Sequence, residues 1–168
     1  MKSNVQVAKD FSLGKTDSVS KSMFIRGDTV YSYGTHFPIA KRAAPEIKKA
    51  TGKDYIFNMN GYSNSTAKHK CIVASAINYN YIELPNCDIS ESGLKKFLKE
   101  IKENEIDPYI DRLNKLKTKG KRAKGYKKAI DAANEKYKTY ENILHNIYGG
   151  TAVLYIKALS KEFGNKQY

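Results

Sequence analysis

The sequence predicts an α+β protein: a small antiparallel sheet with one or two helices, followed by an antiparallel helical hairpin and a C-terminal helix. Three patterns favour this fold class. Residues 22–33 are rich in β-branched and aromatic side chains around a central turn signal, which is typical of two paired strands. Beyond Asp88 the apolar spacing changes to three and four residues, as in amphipathic helices. From Tyr126 onward that spacing becomes a regular heptad pattern.

These patterns divide the chain of 168 residues into four segments. They are a polar N-terminal segment (1–20), an α+β module (21–85), a helical hairpin with a basic tip (86–148) and a C-terminal helix (149–168). A hydrophobic content of 40% is sufficient to form a buried core, which argues against a disordered chain.

The module is expected to open with a β-hairpin. Its strands, 22–26 and 29–33, flank a Gly-Asp pair, which suits a two-residue type II′ turn and places Phe24 opposite Tyr31. The second strand should continue toward Ile39, and Pro38 predicts a sheet edge or a bend there because proline donates no backbone hydrogen bond.

The rest of the module is predicted from turn signals and apolar spacing. In chain order we expect a basic helix-tolerant piece (41–50), a strand (54–59), a helix (66–77) and a strand (79–84).

Two long helices are predicted for the hairpin. Residues 88–91 form a capping box that opens the first helix, and Asp107-Pro108 marks a second start or a kink. The second helix carries the heptad seam of a coiled coil, and glycines at 149 and 150 should end it. The seam residues are Tyr126, Ile130, Ala133, Tyr137, Tyr140, Leu144 and Ile147.

Positive charge is concentrated at the predicted hairpin turn. The chain has 30 Lys and Arg against 17 Asp and Glu, a net charge of +13, and no acidic residue interrupts 112–128. Such a run attracts polyanions, and lysine suits phosphate contacts better than base reading. We therefore predict non-sequence-specific binding of RNA or DNA. The predicted nucleic-acid-binding residues are Arg112, Lys115, Lys117, Lys119, Lys121, Arg122, Lys124, Lys127 and Lys128. A solvated lysine-rich surface and an acidic protein partner remain alternatives.

The stretch GYSNSTAKHKC holds a scarce histidine among hydroxyls and lysines. In a helix beginning near Thr66, His69 lies three and four residues before Ile72 and Val73, so we expect it to pack on the apolar face. The hydroxyls before it suit helix capping. A second interpretation is an anion site at the helix start, formed by Ser65, Thr66, Lys68 and Lys70.

The spacing of the histidines and cysteines does not indicate a catalytic site or a metal site. His36, His69 and His145 are far apart, the two cysteines lack a CxxC pattern, and there is no complete phosphate-binding loop. We expect no metal, no cofactor and no catalytic residue. The alternative is a metal-independent ribonuclease using His36 and His69 as proton carriers.

Two motifs resemble a small uncharacterised domain of bacteriophage and mobile-element proteins. They are the tyrosine-rich strand VYSYGTHFPIA and the helix start YSNSTAKHKCIV. The matching positions are Tyr31, Ser32, Tyr33, Thr35, Ala40, Tyr62, Ser63, Ser65, Thr66, Lys68 and His69. The resemblance implies a phage or mobile-element origin and carries no activity.

No segment has the length of a membrane span, and the N-terminus lacks an apolar signal-peptide stretch. We therefore expect a protein of the host bacterial cytoplasm with reduced thiols and no membrane partner. The leading function prediction is a phage-type accessory protein that binds nucleic acid. The alternative is an inhibitor of a host defence complex, of the anti-CRISPR type, that binds a protein or nucleoprotein.

Overall fold

The computed structural model describes residues 1–116 and 121–149, and the chain divides into two compact units, 1–89 and 90–168. The first unit contains a sheet with helices and the described part of the second is helical, so the predicted α+β class is confirmed. The predicted C-terminal helix, 149–168, lies outside the described residues apart from Gly149. The same applies to residues 117–120 of the basic run.

The first unit is built on a six-stranded sheet whose strands follow one another in chain order. The strands are β1 (Asp17–Val19), β2 (Met23–Arg26), β3 (Thr29–Ser32), β4 (Pro38–Arg42), β5 (Tyr55–Asn58) and β6 (Tyr81–Leu84). Neighbours are antiparallel except β5 and β6, which are parallel. A helix runs between those two strands, and parallel neighbours require such a crossover. The antiparallel prediction is therefore wrong for this pair.

The predicted β-hairpin of β2 and β3 is confirmed with its register. Gly27 has a φ of +62°, as the first position of a type II′ turn requires. Phe24 pairs with Tyr31, and their rings stack with centroids 5.2 Å apart. Local turn chemistry was sufficient to predict this part of the sheet.

Pro38 does not lie at a sheet edge. It is the first residue of β4, which pairs with β3 on one side and β5 on the other. The chain turns before it, where the Ser32 amide donates to the Phe37 carbonyl at 3.1 Å. Proline is tolerated there because the first position of a strand can lack a ladder hydrogen bond.

The predicted polar segment 1–20 contains a helix and a strand. Helix α1 (Asn4–Ser12) is capped by Ser3, whose hydroxyl accepts from the Gln6 amide at 3.1 Å. Three apolar residues in one stripe of α1 are buried, namely Val7, Ala8 and Phe11. Their spacing of one and three residues fits one face of a helix. The helix was not predicted because most of the other residues in this segment are polar.

Two further helices complete the first unit. Helix α2 (Pro45–Thr51) overlaps the expected helix-tolerant piece (41–50), whose first two residues instead belong to β4, and helix α3 (Asn64–Ala76) links β5 to β6. Helix α3 packs on α1, and a 3-10 turn, Pro85–Cys87, follows β6. A buried core of this unit lies between the sheet and α1 and α3. Its members include Val7, Phe11, Met23, Ile25, Val30, Ile39, Phe57 and Val73.

Asp10 fixes α1 to the strands through a buried charge network. Its carboxylate forms ion pairs with Lys2 and Lys15, each at 2.7 Å, and accepts a 2.7 Å hydrogen bond from the Ser18 hydroxyl. The two ammonium groups hold the pKa of Asp10 well below its usual value. The N-terminal residues are therefore an integral part of the first unit.

The described part of the second unit is an antiparallel pair of helical segments. One side consists of α4 (Glu91–Ile101), a π-helical segment (Lys102–Ile106) and α5 (Asp107–Asn114), and the other is α6 (Lys121–Tyr148). Phe97 contacts Tyr140 and Tyr109 contacts Tyr126, so the contacts run in opposite order along the two sides. The central seam residues of α6 are buried, namely Ala133, Tyr137, Tyr140 and Leu144.

The kink agrees with the sequence, but the predicted capping box (88–91) does not form. That pattern requires Asp88 as N-cap and Glu91 as the third helical residue, whereas Glu91 is the first residue of α4. Ser90 is the N-cap of α4, and its hydroxyl accepts from the Gly93 amide at 3.0 Å. The π-helical segment ends one residue before Asp107-Pro108. Proline has no N–H and its ring crowds the preceding turn, which explains the irregularity at this position. Gly149, with a φ of +69°, follows the last residue of α6.

Candidate nucleic-acid interface

The nine basic residues predicted to bind nucleic acid, here called the basic tip, lie where α5 ends and α6 begins. Lys117 and Lys119 are outside the described residues. All the others are exposed: Arg112, Lys115, Lys121, Arg122, Lys124, Lys127 and Lys128. Lys121, Lys124 and Lys128 recur at helical spacing, so they follow one face of α6. The described cations thus form an accessible surface at one end of the helix pair.

The described residues of the basic tip form no ion pair, whereas about half of the described lysines elsewhere do. Within residues 1–116 and 121–149, no ion pair joins any of them to a carboxylate. Lysines that do pair with Asp or Glu are Lys2, Lys15, Lys41, Lys48, Lys95, Lys99, Lys102, Lys136 and Lys138. The described part of the chain therefore leaves the tip charge available to an external anion.

Two tyrosines hold the helices together beneath the basic tip. The rings of Tyr109 in α5 and Tyr126 in α6 are 5.9 Å apart, and both are half-buried. The Arg112 guanidinium lies 5.5 Å from the centre of the Tyr109 ring, a cation–π arrangement. These contacts join α5 to α6 at the end of the helix pair where the described tip cations lie.

His69 is buried in α3, as the helical spacing predicted, and hydrogen-bonds to hydroxyl groups. Its Nδ1 lies 2.8 Å from the Ser32 Oγ and its Nε2 3.2 Å from the Ser22 Oγ. Burial lowers the pKa of His69, which favours the neutral imidazole. The partners come from β2 and β3, far away in sequence, so local spacing could not identify them.

The four residues of the predicted anion site have different environments. Ser65 and Lys68 are exposed. Thr66 is buried, and its amide donates to the Ser63 hydroxyl at 3.2 Å. Lys70 donates to the Asn60 carbonyl at 3.0 Å. The prediction that hydroxyl side chains cap the start of α3 is confirmed. Two of the four predicted anion-site residues, Thr66 and Lys70, already form hydrogen bonds within the protein.

The remaining histidines and the cysteines are spread over the molecule. His36 is exposed in the β3–β4 turn, and His145 is exposed near the end of α6. Cys71 is exposed and Cys87 is buried, and burial raises the pKa of the Cys87 thiol to about 12. Among residues 1–116 and 121–149, no group of three His, Cys, Asp or Glu side chains is placed to hold a metal. No helix in the described ranges is long and apolar enough to span a membrane.

Gly34 gives the His36 ring its position beside Tyr62. A Cβ at residue 34 would lie 2.7 Å from the His36 Nδ1, and the His36 and Tyr62 ring centres are 6.2 Å apart. We expect Gly34→Ala to displace the exposed imidazole at a stability cost below about 1 kcal/mol, because a surface ring can rotate away. The His36 ring resonances, shifted by the Tyr62 ring current, should move in NMR spectra.

Gly61→Ala is the matched control, because a Cβ at Gly61 meets nothing within 4 Å and also lies next to Tyr62. Unchanged His36 resonances in Gly34→Ala, or an equal shift in Gly61→Ala, would contradict the close packing of His36 on Gly34.

Comparison of the chain with protein-family models, with curated proteins and with solved structures found no match. The resemblance to a bacteriophage domain therefore stays a prediction. Any functional conclusion has to come from the residues themselves.

Proposed function

We propose that this chain binds nucleic acid without sequence specificity through the basic tip. The observation that carries the proposal is that the described tip cations are exposed and that, among residues 1–116 and 121–149, no carboxylate forms an ion pair with them. Like charges held close together repel, and a polyanion removes that repulsion while releasing its own counterions. Phosphate backbones provide regularly spaced negative charge that suits such a row of cations.

Several features favour nucleic acid over an acidic protein. Lysines outnumber arginines in the tip, and they act as point charges that need no fixed geometry. Specific protein interfaces, by contrast, are depleted in lysine at their centre and rely on aromatic and arginine anchors. The phage-type resemblance and the prediction of a bacterial cytoplasmic protein are consistent with this role, and binding to a defence protein is the competing outcome.

The salt dependence of binding tests the proposal. If about five phosphates are contacted, the logarithm of the association constant for a duplex should fall with the logarithm of salt concentration at a slope of about −4.5. The triple variant Lys121→Glu, Arg122→Glu, Lys124→Glu should lose about three of those contacts, which lowers the steepness by about 2.7. Fluorescence anisotropy of a labelled 30-base-pair duplex, at salt concentrations between about 50 and 200 mM, gives both slopes.

The control is the variant Lys95→Glu, Lys99→Glu, Lys138→Glu, which changes the net charge equally within the same unit. These lysines are exposed, and each pairs with a carboxylate three or four residues away in the chain. The affinity of this control variant for the duplex should be closer to that of the wild type than the affinity of the tip variant is. Equal duplex binding by the wild type and the tip variant would show the proposal to be wrong. In a pull-down from nuclease-treated lysate, a protein captured by the wild type but not by the tip variant would favour a protein target.

A further inference from the structure

A second exposed surface lies in the first unit and is formed by Tyr33, His36 and Tyr62, here called the tyrosine face. Tyr33 and His36 belong to the β3–β4 turn, and Tyr62 directly precedes the N-cap of α3. The tyrosines are 60% and 72% exposed. Large aromatic rings usually bury most of their area, so two fixed and exposed rings on one surface call for an explanation.

Tyr33 is held in a strained backbone conformation. Its φ is +59°, in the left-handed region that bulky residues rarely adopt, although a glycine follows it directly. Its amide donates to the Ser22 carbonyl at 2.8 Å, and its ring lies 5.3 Å from the His69 ring. His69 in turn is fixed by Ser22 and Ser32. The buried histidine network therefore supports an aromatic ring that points out of the core.

Tyr62 is supported by two other rings of the β3–β4 turn. Its centre lies 5.5 Å from that of Phe37 and 6.2 Å from that of His36. The hydroxyls of Ser63, Thr66 and Ser32 continue from the start of α3 to the end of β3, at 3.1 and 3.4 Å. The turn and the helix start are thereby held together, so Tyr33 and Tyr62 belong to one preformed surface.

The chain segments that contain the tyrosine face and its hydrogen-bonded neighbours carry basic but no acidic residues. These segments are 18–27, 29–45 and 55–82, and an Asp or Glu stands at each end of every one of them. Two exposed lysines neighbour members of the supporting network in the chain, because Lys21 precedes Ser22 and Lys68 precedes His69. Exposed aromatic rings with neighbouring cations are the combination by which proteins bind single-stranded nucleic acid, where the rings stack on bases and the cations meet phosphates.

We infer that the tyrosine face stacks unpaired bases, so that the nucleic acid bound by this chain is at least partly single-stranded. This inference rests on the proposed function and specifies the form of the ligand. Bases inside a duplex are stacked on one another and do not offer their faces to a side chain. The tyrosine face should therefore contribute to binding of a single strand and not to binding of a duplex.

Anisotropy with a labelled 12-nucleotide oligo(dT) and with a labelled duplex separates the two surfaces. The double variant Tyr33→Asn, Tyr62→Ala should bind oligo(dT) at least about tenfold more weakly, since each stacked base contributes roughly 5- to 150-fold to affinity. Asparagine is chosen at position 33 because it tolerates a positive φ. Duplex affinity and the salt slope should be unchanged, and Tyr33→Phe with Tyr62→Phe should restore oligo(dT) binding.

Tyr79→Asn is the matched control, because Tyr79 is also exposed, has a φ of +54° and follows the opposite end of α3. Wild-type oligo(dT) affinity in the double variant would overturn the stacking inference and leave the proposed function intact. Equal loss of single-strand and duplex binding, or equal loss in Tyr79→Asn, would also overturn it. If the basic-tip variant bound both the duplex and oligo(dT) as tightly as the wild type, the proposed function would be overturned instead. Thermal melts check that every variant is folded.

Discussion

Phe11→Ala is expected to destabilise the first unit by about 3–5 kcal/mol, the usual cost of truncating a fully buried aromatic ring. Phe11 has no exposed surface, and its ring lies 5.5 Å from that of Tyr55. The Arg42 guanidinium is 4.5 Å from the ring centre and also donates to the Phe11 carbonyl at 2.8 Å. Truncation would leave a cavity between α1 and the sheet and would remove a surface on which the charged group packs.

Urea unfolding followed by circular dichroism measures this loss, with the second unit as an internal reference if the two transitions separate. Leu13→Ala is the matched control, because Leu13 directly follows α1 and is 66% exposed, so its truncation should change stability by less than about 0.5 kcal/mol. Similar midpoints for Phe11→Ala and the wild type would mean that α1 does not form part of the core.

Features that depend on neighbouring residues in the chain were predictable from the sequence. The β2–β3 register follows from a two-residue turn, and the irregularity near Pro108 follows from a local hydrogen-bond requirement. The start of α4 was predicted only to within two residues, because Ser90 and not Asp88 is its N-cap. The exposure of the described residues of the basic tip belongs to the same class, because lysine and arginine side chains are almost never fully buried without a partner.

Features set by distant residues were not predictable. Helix α1 is stabilised by packing and by the Asp10 network, neither of which its polar composition indicates. The parallel pairing of β5 and β6 depends on where α3 packs. Sequence spacing placed His69 on the apolar face, but its serine partners belong to β2 and β3. The tyrosine face was missed for the same reason, because it needs the contact between a turn and a helix start.

Acid is expected to destabilise the first unit in two separate pH ranges, each due to one buried group. In the unfolded chain, His69 has a pKa near 6.5, and burial lowers that value in the folded protein. The unfolded state therefore takes up the proton first, so the contribution of neutral His69 is complete above about pH 6.5 and is lost as the pH falls toward the folded pKa. Protonation also removes the acceptor that one of the two serine hydroxyls needs.

Asp10 acts in the same direction at lower pH. Its pKa is 3.8 in the unfolded chain and is lowered in the folded protein by Lys15 and Lys2, so its contribution is present above pH 3.8 and is lost below it. Urea midpoints measured between pH 8 and pH 3 should therefore decline first below about 6.5 and again below about 3.8.

Single substitutions assign each decline to its residue. His69→Gln keeps a polar side chain that does not titrate, so this variant should be less stable at pH 8 but should lack the first decline, whereas Asp10→Asn should lack the second. The quantity to compare is the difference in free energy of unfolding between wild type and variant at each pH. A difference for His69→Gln that stays constant from pH 8 to pH 5 would show that His69 is not the group responsible. Because His69 also supports the ring of Tyr33, loss of oligo(dT) binding in the same pH range would connect the acid-sensitive network to the tyrosine face.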